Sequence, residues 1–240
     1  MKREEESDES STVDRIEVLD HGFVRLVDSM GDDLSVVRAA RVSYAAAWRA
    51  GENEGSDQRL IRYLWGHKHT TPFEAVTFTF EVKAPIFVFR QWHRHRTQSI
   101  NELSARYREL PTCYYLPDPA LIGVQSTDNK QGRSLAVDDN TLEQRRKDVQ
   151  DLDEAMRWLF TIYEGLVERG WPKELARIVL PVSTYSHMFV TVNLLNLFKF
   201  LALRCDEHAQ YEIRKYAEAM LRLITPIVPV SVAAWKEGRT

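Results

Sequence analysis

The stretch from Arg90 to Tyr107 concentrates side chains that bind anions. Six of its eighteen positions carry a guanidinium or an imidazole, and Glu102 is the only carboxylate among them. Guanidinium groups match phosphate oxygens two at a time, so this composition predicts a phosphate site. An exposed basic helix would carry more carboxylates, and the interleaved Ser99, Asn101 and Ser104 favour the mouth of a pocket. The six cationic residues are Arg90, His93, Arg94, His95, Arg96 and Arg106.

Two pairs of histidines raise the alternative of a metal site. His67 and His69 form one pair, His93 and His95 form the other, and Glu74 or Glu102 could complete a ligand set. Arg94 and Arg96 flank the second pair, however, and their charge repels a metal ion. The sequence therefore predicts no metal.

Nucleophilic catalysis by cysteine is the next alternative. Cys205 follows Arg204 and precedes His208 by three positions, but a small buried apolar role is the simpler interpretation. Neither a G-x-G-x-x-G motif nor a P-loop occurs, so a bound dinucleotide must be held by arginines and histidines.

The whole chain limits the class of protein. It has 240 residues, is 44% hydrophobic and carries a formal charge of −3, which suits a compact protein and argues against a general nucleic-acid binder. Two distant cysteines and no long apolar run indicate a cytoplasmic protein with no membrane segment. We predict a disordered acidic tail at residues 1–12 and a single α+β catalytic domain at residues 13–240.

Hydrophobic periodicity and capping signals predict the helices and strands that carry the candidate site residues. Alternation predicts strands at 16–20, 22–28, 76–82, 113–116 and 185–192. Helical spacing predicts helices at about 33–47, 56–66, 86–93, 141–169, 172–180, 194–203, 207–223 and 233–235, with Asp32 or Asp33, Ser56, Asn193 and Asp206 as N-caps. Residues 97–107 are predicted to be a loop entering a strand, and residues 118–140 a surface loop. The expected fold is α+β, with a mixed or antiparallel central sheet flanked by helices and an additional helical region.

The extended motif resembles a known signature. Arg94-His-Arg96, followed by Ser-x-Asn-Glu-x-Ser-x-Arg-Tyr107, is similar to that of the flavin-dependent thymidylate synthases. Further matches occur in the family's order, and the resemblance covers roughly residues 14–225. They are His69-x-Thr-Pro-Phe-Glu74, Lys83-Ala-Pro-Ile-Phe-Val88, Arg90-Gln-Trp92, Ala176-Arg-Ile-Val-Leu-Pro181, Thr191-Val-Asn193, Leu203-Arg204 and His208-Ala-Gln210.

This resemblance implies a reaction and its partners. The family converts dUMP to dTMP, taking the carbon unit from methylenetetrahydrofolate and reducing equivalents from NADPH through FAD. It also implies a homotetramer with active sites at subunit interfaces. The alternatives are a module that binds phosphorylated ligands or single-stranded nucleic acid, using Trp92 and Tyr107 for stacking, and a histidine-rich metal phosphohydrolase.

The resemblance also implies site residues. The FAD site would comprise His69, Thr71, Arg94, His95, Arg96, Glu102, Asn193, Leu194, Leu195 and Lys199. The dUMP site would comprise Gln91, Trp92, His93, Arg94, Glu102, Leu103, Ser104, Ala105, Arg106, Arg177 and Arg204. Arg204 would be catalytic, because a fixed guanidinium beside uracil N3 and O2 stabilises the ring anion that makes C5 nucleophilic. No enzyme nucleophile is then needed.

The chain departs from the family after Asn193. A cation is expected at position 195, where this sequence has Leu195, and a cation appears instead at Lys199. Positions 195 and 199 are one helical turn apart. We therefore expect Lys199 to supply the charge that Leu195 lacks, toward the FAD phosphates or folate.

Overall fold

The computed structural model describes residues 15–127 and 132–238. Its centre is a five-stranded sheet in the order β1-β2-β3-β7-β4. Every pairing in this sheet is antiparallel, which confirms the antiparallel form of the predicted α+β fold. The strands are β1 (Arg15–Val18), β2 (Gly22–Met30), β3 (Thr77–Pro85), β4 (Ser99–Glu102) and β7 (Tyr185–Asn193), and a separate pair comprises β5 (Val124–Gln125) and β6 (Arg133–Ser134).

Nine helices occur in the described residues. They are α1 (Asp33–Arg41), α2 (Glu54–Gly66), α3 (Ile86–Trp92), α4 (Pro119–Ile122), α5 (Asp139–Glu168), α6 (Lys173–Ala176), α7 (Leu194–Arg204), α8 (Tyr211–Ile224) and α9 (Pro229–Glu237), with 3-10 turns at Val42–Tyr44, Ala47–Arg49, Thr71–Ala75 and Arg177–Val179. None of the helices in the described part of the chain has the length and apolar character needed to cross a membrane.

The pairing of β3 with β7 forms the middle of the sheet. The two strands match over nine residue pairs, from Thr77 opposite Asn193 to Pro85 opposite Tyr185. Alternation gives β3 one buried face, carried by Phe78, Phe80 and Val82, which are fully buried. That face packs on the helices and forms the main core.

Helix α7 lies inside this core. It follows β7 directly, and the Asn193 side chain accepts a hydrogen bond from the Asn196 backbone N–H at 2.9 Å, which confirms the predicted N-cap. Six of its eleven residues are buried, so packing fixes the position of the helix end that carries Arg204. A second, smaller core joins α5 to α6 through Phe160, Tyr163 and Ala176.

Several predicted boundaries were wrong for local reasons. Helix α1 ends at Arg41, and Ala45 then adopts a left-handed conformation with φ 51°. Helix α2 begins earlier than predicted, because Asn53 rather than Ser56 caps it; the Asn53 side chain accepts from the Ser56 N–H at 2.9 Å. Helix α8 begins at Tyr211, because Asp206 instead bonds within a turn to His208.

The segments around the motif also differ from the prediction. Residues 97–107 contain the edge strand β4, and the chain leaves this strand at Glu102 rather than entering one there. Residues 113–116 form only an isolated bridge, between Tyr114 and Thr184. Beyond α6, the predicted helix at 172–180 continues as a 3-10 turn.

Residues 118–140 contain more structure than a loop. Helix α4, the β5–β6 pair and the first two residues of α5 all lie within their described part. The acidic tail predicted at residues 1–12 lies outside the described residues.

Gly22 tests the packing of the sheet against α8. A Cβ atom at this position would overlap the Tyr216 hydroxyl and lie 2.7 Å from the backbone oxygens of Val18 and Lys83. We expect Gly22→Ala to lower the free energy of unfolding by about 1–3 kcal/mol through overpacking, measured by urea denaturation. Gly66→Ala is the matched control, because nothing lies within 4 Å of a Cβ there. It should be neutral or stabilising, and equal losses in the two variants would contradict the packing argument.

Candidate functional site

Arg204 joins the end of α7 to the end of α3. Its Nε donates to His95 Nε2 at 3.0 Å, and its Nη1 and Nη2 lie 3.3 and 3.5 Å from the side-chain and backbone oxygens of Gln91. Across the described residues Arg204 forms no ion pair with a carboxylate. Its hydrogen-bonding partners are neutral, so they hold the guanidinium without cancelling its charge.

The chemistry of His95 fits this arrangement. Burial and the neighbouring Arg204 charge lower the pKa of His95 from 6.5 to about 4. The ring is therefore neutral near pH 7, and its Nε2 must be the unprotonated nitrogen that accepts from Arg204. Its edge packs on Phe200, with ring centroids 4.8 Å apart, which fixes the plane of the imidazole.

Arg94 and Arg96 follow α3 in a tight turn. The Arg94 N–H donates to the Gln91 carbonyl at 3.2 Å, and the His95 N–H donates to the Trp92 carbonyl at 2.9 Å. Both arginine side chains are exposed, and within residues 15–127 and 132–238 they make no hydrogen bond or ion pair. Both guanidinium charges are therefore available to an anion, and the anion site expected from the sequence stays a prediction.

One cavity brings Arg96 and Asn193 together. It has a volume of about 390 Å³, and the hydroxyl side chains of Thr77, Ser99 and Thr191 contribute to its lining. Lys199 lies further along α7, and its Nζ donates to Asn196 Oδ1 at 3.3 Å. The guanidinium of Arg96 and hydroxyl groups that can donate suit a phosphate or pyrophosphate.

Glu102 occupies the end of the edge strand. Its Oε1 accepts from the Ser186 hydroxyl at 2.6 Å, and its Oε2 lies 3.7 Å from His93 Nε2. The next backbone N–H, that of Leu103, donates to the His187 carbonyl at 2.8 Å. Two of the predicted residues, Glu102 and Leu103, are thus fixed against the start of β7, and His93 lies beside Glu102.

The turn after β4 leads to a second pair of arginines. Ser104 organises this turn, since its Oγ accepts from the Arg106 N–H at 3.3 Å. Arg106 pairs with the Glu174 carboxylate at 3.1 Å, while Arg177 Nε donates to the Glu174 carbonyl at 3.3 Å. Glu174 therefore joins Arg106 to Arg177. Ala105 in the same turn is buried.

His69 and Thr71 line a different cavity. Its volume is about 440 Å³, and Tyr44 and Tyr63 are among its aromatic walls. The edge of His69 packs against Tyr63, with ring centroids 6.1 Å apart. This cavity offers ring surfaces beside hydrogen-bonding groups.

Three residues predicted to contact ligands have buried side chains, which the sequence did not indicate. Trp92 is fully buried, and its indole N–H donates to Gln98 at 2.9 Å. Leu194 and Leu195 pack in the main core, and the Leu194 N–H already donates to the Val76 carbonyl at 2.8 Å. In the single chain these side chains pack behind the site and do not face it. The resemblance supplied their positions, but it carried no information about their burial.

Metal and thiol chemistry find no support in the described residues. No group of three or more His, Cys, Asp or Glu side chains there could hold a metal ion. The rings of His67 and His69 lie 6.5 Å apart, and His95 already accepts from Arg204. Cys205 is half-buried and packs against the main core.

Sequence reasoning missed two groups of supporting residues. Ser186 and Glu174 bind Glu102 and Arg106, and nothing in their sequence context signals these long-range contacts. Gln210 contacts Gln91 through its side chain. The sequence did mark Gln210 within the His208-Ala-Gln210 match, but it gave that residue no role.

Comparisons with known proteins agree with one another. The family model described as "Thymidylate synthase complementing protein" matches residues 25–230. The chain is 48% identical to a flavin-dependent thymidylate synthase of Gluconobacter oxydans, over 93% of this chain and 73% of that protein. It is also 48% identical to one of Thermosipho africanus, over 83% of this chain and 84% of the relative. A crystal structure of the UMP/dUMP methylase PolB from Streptomyces cacaoi, bound with 5-Br dUMP, aligns with a TM-score of 0.82 and 38% identity, covering 94% of this chain and 99% of that chain.

The His95 ring provides a pH-dependent test of the site. In an NMR titration of the histidine rings we expect His95 to titrate near 4, since burial and Arg204 both disfavour its charged form. Arg204→Ala should raise this pKa only part of the way to 6.5, because burial remains the larger cause. A ring that titrates at its ordinary value in the unsubstituted protein would contradict the arrangement.

The same shift fixes the sign of a stability effect. An unfolded chain takes up the His95 proton near pH 6.5, whereas the folded chain takes it up only near 4. This contribution to folding stability is therefore fully present above about pH 6.5 and is lost as the pH falls toward 4.

Proposed function

Since the chain belongs to the flavin-dependent thymidylate synthase family, we propose that it converts dUMP to dTMP with FAD as cofactor. Methylenetetrahydrofolate is the proposed carbon donor, and NADPH is the proposed reductant. The observation that carries the proposal is the half-buried Arg204 guanidinium, whose hydrogen-bonding partners in the described part of the chain are all neutral.

Arg204 can supply the electrostatic part of the reaction. Removal of the N3 proton from uracil moves electron density toward C5, and a nearby guanidinium stabilises the resulting anion. A carboxylate partner would offset much of the Arg204 charge, whereas His95 and Gln91 leave it available. Burial also lowers the pKa of Arg204, which reflects a site where charge is poorly screened. The flavin supplies the reducing equivalents that turn the transferred carbon unit into a methyl group.

The dUMP phosphate has candidate partners in the exposed arginines. Arg106 and Arg177 meet at Glu174, and Arg94 has no partner among the described side chains. An incoming phosphate can replace the exposed Glu174 carboxylate on Arg106, because a surface ion pair is weak. Glu102 and Ser104 are proposed to position the base and sugar.

The residues of this chain also fit FAD. The cavity beside Arg96 and Asn193 presents a guanidinium and several hydroxyl groups, which suit a pyrophosphate. The cavity with His69 and Thr71 adds tyrosine rings, which suit a planar aromatic group. We propose that these two surfaces hold different parts of the cofactor, with Lys199 near the first.

We further propose a homotetramer in the cytoplasm, with active sites between subunits. Arg94, Arg96 and Arg106 are exposed on the single chain, so a neighbouring subunit can close the site around a ligand. Phe189 on the open face of the sheet is 40% exposed, which also favours a covering subunit. Light scattering of the purified protein would distinguish a tetramer from a single chain.

The proposed reaction predicts the behaviour of Arg204 variants. The FAD-loaded protein should form dTMP only when dUMP, methylenetetrahydrofolate and NADPH are all present, and UMP should be assayed beside dUMP. We expect Arg204→Ala to lower kcat by about 10²–10³-fold, the loss typical for removal of one preorganised donor to a developing anion. The bound FAD should be retained, as measured by visible absorbance.

Arg59→Ala is the matched control, because Arg59 is an exposed arginine on α2 outside the site. It should retain the original turnover. A colourless protein that neither binds FAD nor oxidises NADPH with dUMP would contradict the proposed function. Loss of FAD or of folding in Arg204→Ala would instead indicate a structural role for that residue.

Substitution of Lys199 tests whether this residue compensates for the cation missing at position 195. Lys199→Ala should weaken FAD or folate binding about two- to fivefold, since an exposed ion pair contributes up to about 1 kcal/mol. The difference should shrink at high salt. Lys147→Ala, an exposed lysine on α5, is the matched control and should change neither affinity. Unchanged affinities for both ligands in Lys199→Ala would rule out the compensating role.

A further inference from the structure

A buried carboxylate lies at the start of α8, and the proposed chemistry gives it no role. Glu212 is 3% exposed and belongs to neither ligand site. Its Oε1 accepts from the Tyr115 hydroxyl at 3.2 Å and from Arg133 Nη2 at 2.9 Å. Its Oε2 accepts from Gln210 Nε2 at 2.8 Å. The two oxygens therefore serve different partners.

The bond on Oε2 begins a chain of amides that ends at Arg204. Gln210 Nε2 donates to Glu212, so the Gln210 oxygen points the other way and accepts from Gln91 Nε2. The Gln91 oxygen in turn faces Arg204 Nη1 at 3.3 Å. We call Gln91, Gln210 and Glu212 the amide chain.

The amide chain has only one consistent direction. Each glutamine amide has an oxygen that only accepts and a nitrogen that only donates. Arg204 at one end can only donate, and the Glu212 carboxylate at the other end can only accept. Both amides must therefore present their oxygens toward Arg204 and their nitrogens toward Glu212. Reversing either amide would set two donors or two acceptors against each other.

We propose that Glu212 is a positioning residue, which orients the Gln210 and Gln91 amides so that the Gln91 oxygen holds the Arg204 guanidinium. The proposal rests on the proposed function, because Arg204 is the group that would act on the uracil ring. Glu212 itself contacts neither nucleotide nor cofactor. Its carboxylate determines from a distance which atom of Gln91 faces the catalytic guanidinium.

Glu212→Gln tests the direction of the amide chain. This substitution preserves size but replaces one acceptor oxygen with a donor, so the new amide can turn its NH₂ group toward Gln210. Both amides of the chain would then reverse, and the Gln91 NH₂ would face Arg204. We expect kcat to fall about tenfold or more, because the hydrogen bond that is lost joins the Gln91 oxygen to the charged Arg204 guanidinium. The KM for NADPH should stay unchanged.

A double variant separates positioning from a merely structural role. Gln210→Glu combined with Glu212→Gln moves the carboxylate one place along the amide chain. The carboxylate at position 210 then accepts from Gln91 and from the amide nitrogen at position 212, which restores the original direction of Gln91. We expect this double variant to recover most of the turnover lost in Glu212→Gln. If Glu212 served only to hold Tyr115 and Arg133, moving its carboxylate to position 210 would restore nothing.

Tyr115→Phe is the matched control, because it affects the hydrogen bonds to Glu212 Oε1 and not the one to Oε2. It removes one hydrogen bond from Glu212 but leaves the Oε2 bond to Gln210 intact. It should retain the original kcat and KM for dUMP. A loss in Tyr115→Phe equal to that in Glu212→Gln would overturn the proposal, because general disturbance of this pocket would then explain both results.

The His95 titration gives a readout that needs no turnover. The Arg204 charge lowers the pKa of His95, so displacement of the guanidinium should raise it in Glu212→Gln. If the substitution only removed a negative charge at position 212, the pKa of His95 would fall instead. The direction of the shift thus distinguishes the two explanations, and the double variant should return the pKa to the original value.

The outcomes are distinguishable from failure of the proposed function. If the unsubstituted protein did not methylate dUMP, the proposed function would be wrong. The His95 titration would still test the amide chain in that case. Original turnover and an unchanged His95 pKa in Glu212→Gln would overturn the proposal, as would a double variant no better than the single one. If Glu212→Gln fails to fold, Gln210→Met interrupts the chain at an exposed position and must reproduce the loss. Original turnover and pKa in Gln210→Met would equally overturn it.

Discussion

The antiparallel ladder between β3 and β7 determines where the site can form. Helix α3 continues directly from the last residue of β3, and α7 continues directly from the last residue of β7. Because the strands are antiparallel, the two helices begin at opposite ends of the ladder. Helix α7 runs about 16 Å at 1.5 Å per residue, and its last residue, Arg204, meets Gln91 and His95 around the end of α3.

The arginines of this protein fall into two kinds. Arg25, Arg41 and Arg133 pair with Glu81, Asp57 and Glu212, and each of these bridges joins separate parts of the chain. Arg204 has neutral partners, and Arg94 and Arg96 have none among the described side chains. A paired guanidinium stabilises the fold, whereas one without a carboxylate keeps its charge for an anion. Arg106 stands between these two kinds, because it pairs with an exposed carboxylate, that of Glu174, which an anionic ligand can displace.

The sequence predicted what depends on local patterns. The clean alternation of residues 76–82 predicted β3, and Asn193 predicted the start of α7. The edge strand β4 was missed because it is short and only Ile100 is apolar in it. The resemblance located Arg204, Gln91 and His95 in the sequence, but their mutual contacts arise from the meeting of α3 and α7. Trp92 and Leu195 were assigned to ligands because a motif gives positions in the chain and not the direction of a side chain.

The burial of α7 has a consequence for how the sequence can change. Leu197, Phe198, Phe200 and Leu201 are all fully buried or nearly so, which leaves this helix little room to shift. A substitution at any of them is expected to shift the backbone that carries Arg204, although none of these side chains can hydrogen-bond the guanidinium. Core positions on α7 are therefore expected to control the placement of Arg204 as well as folding stability, so even a change between hydrophobic residues there should alter both.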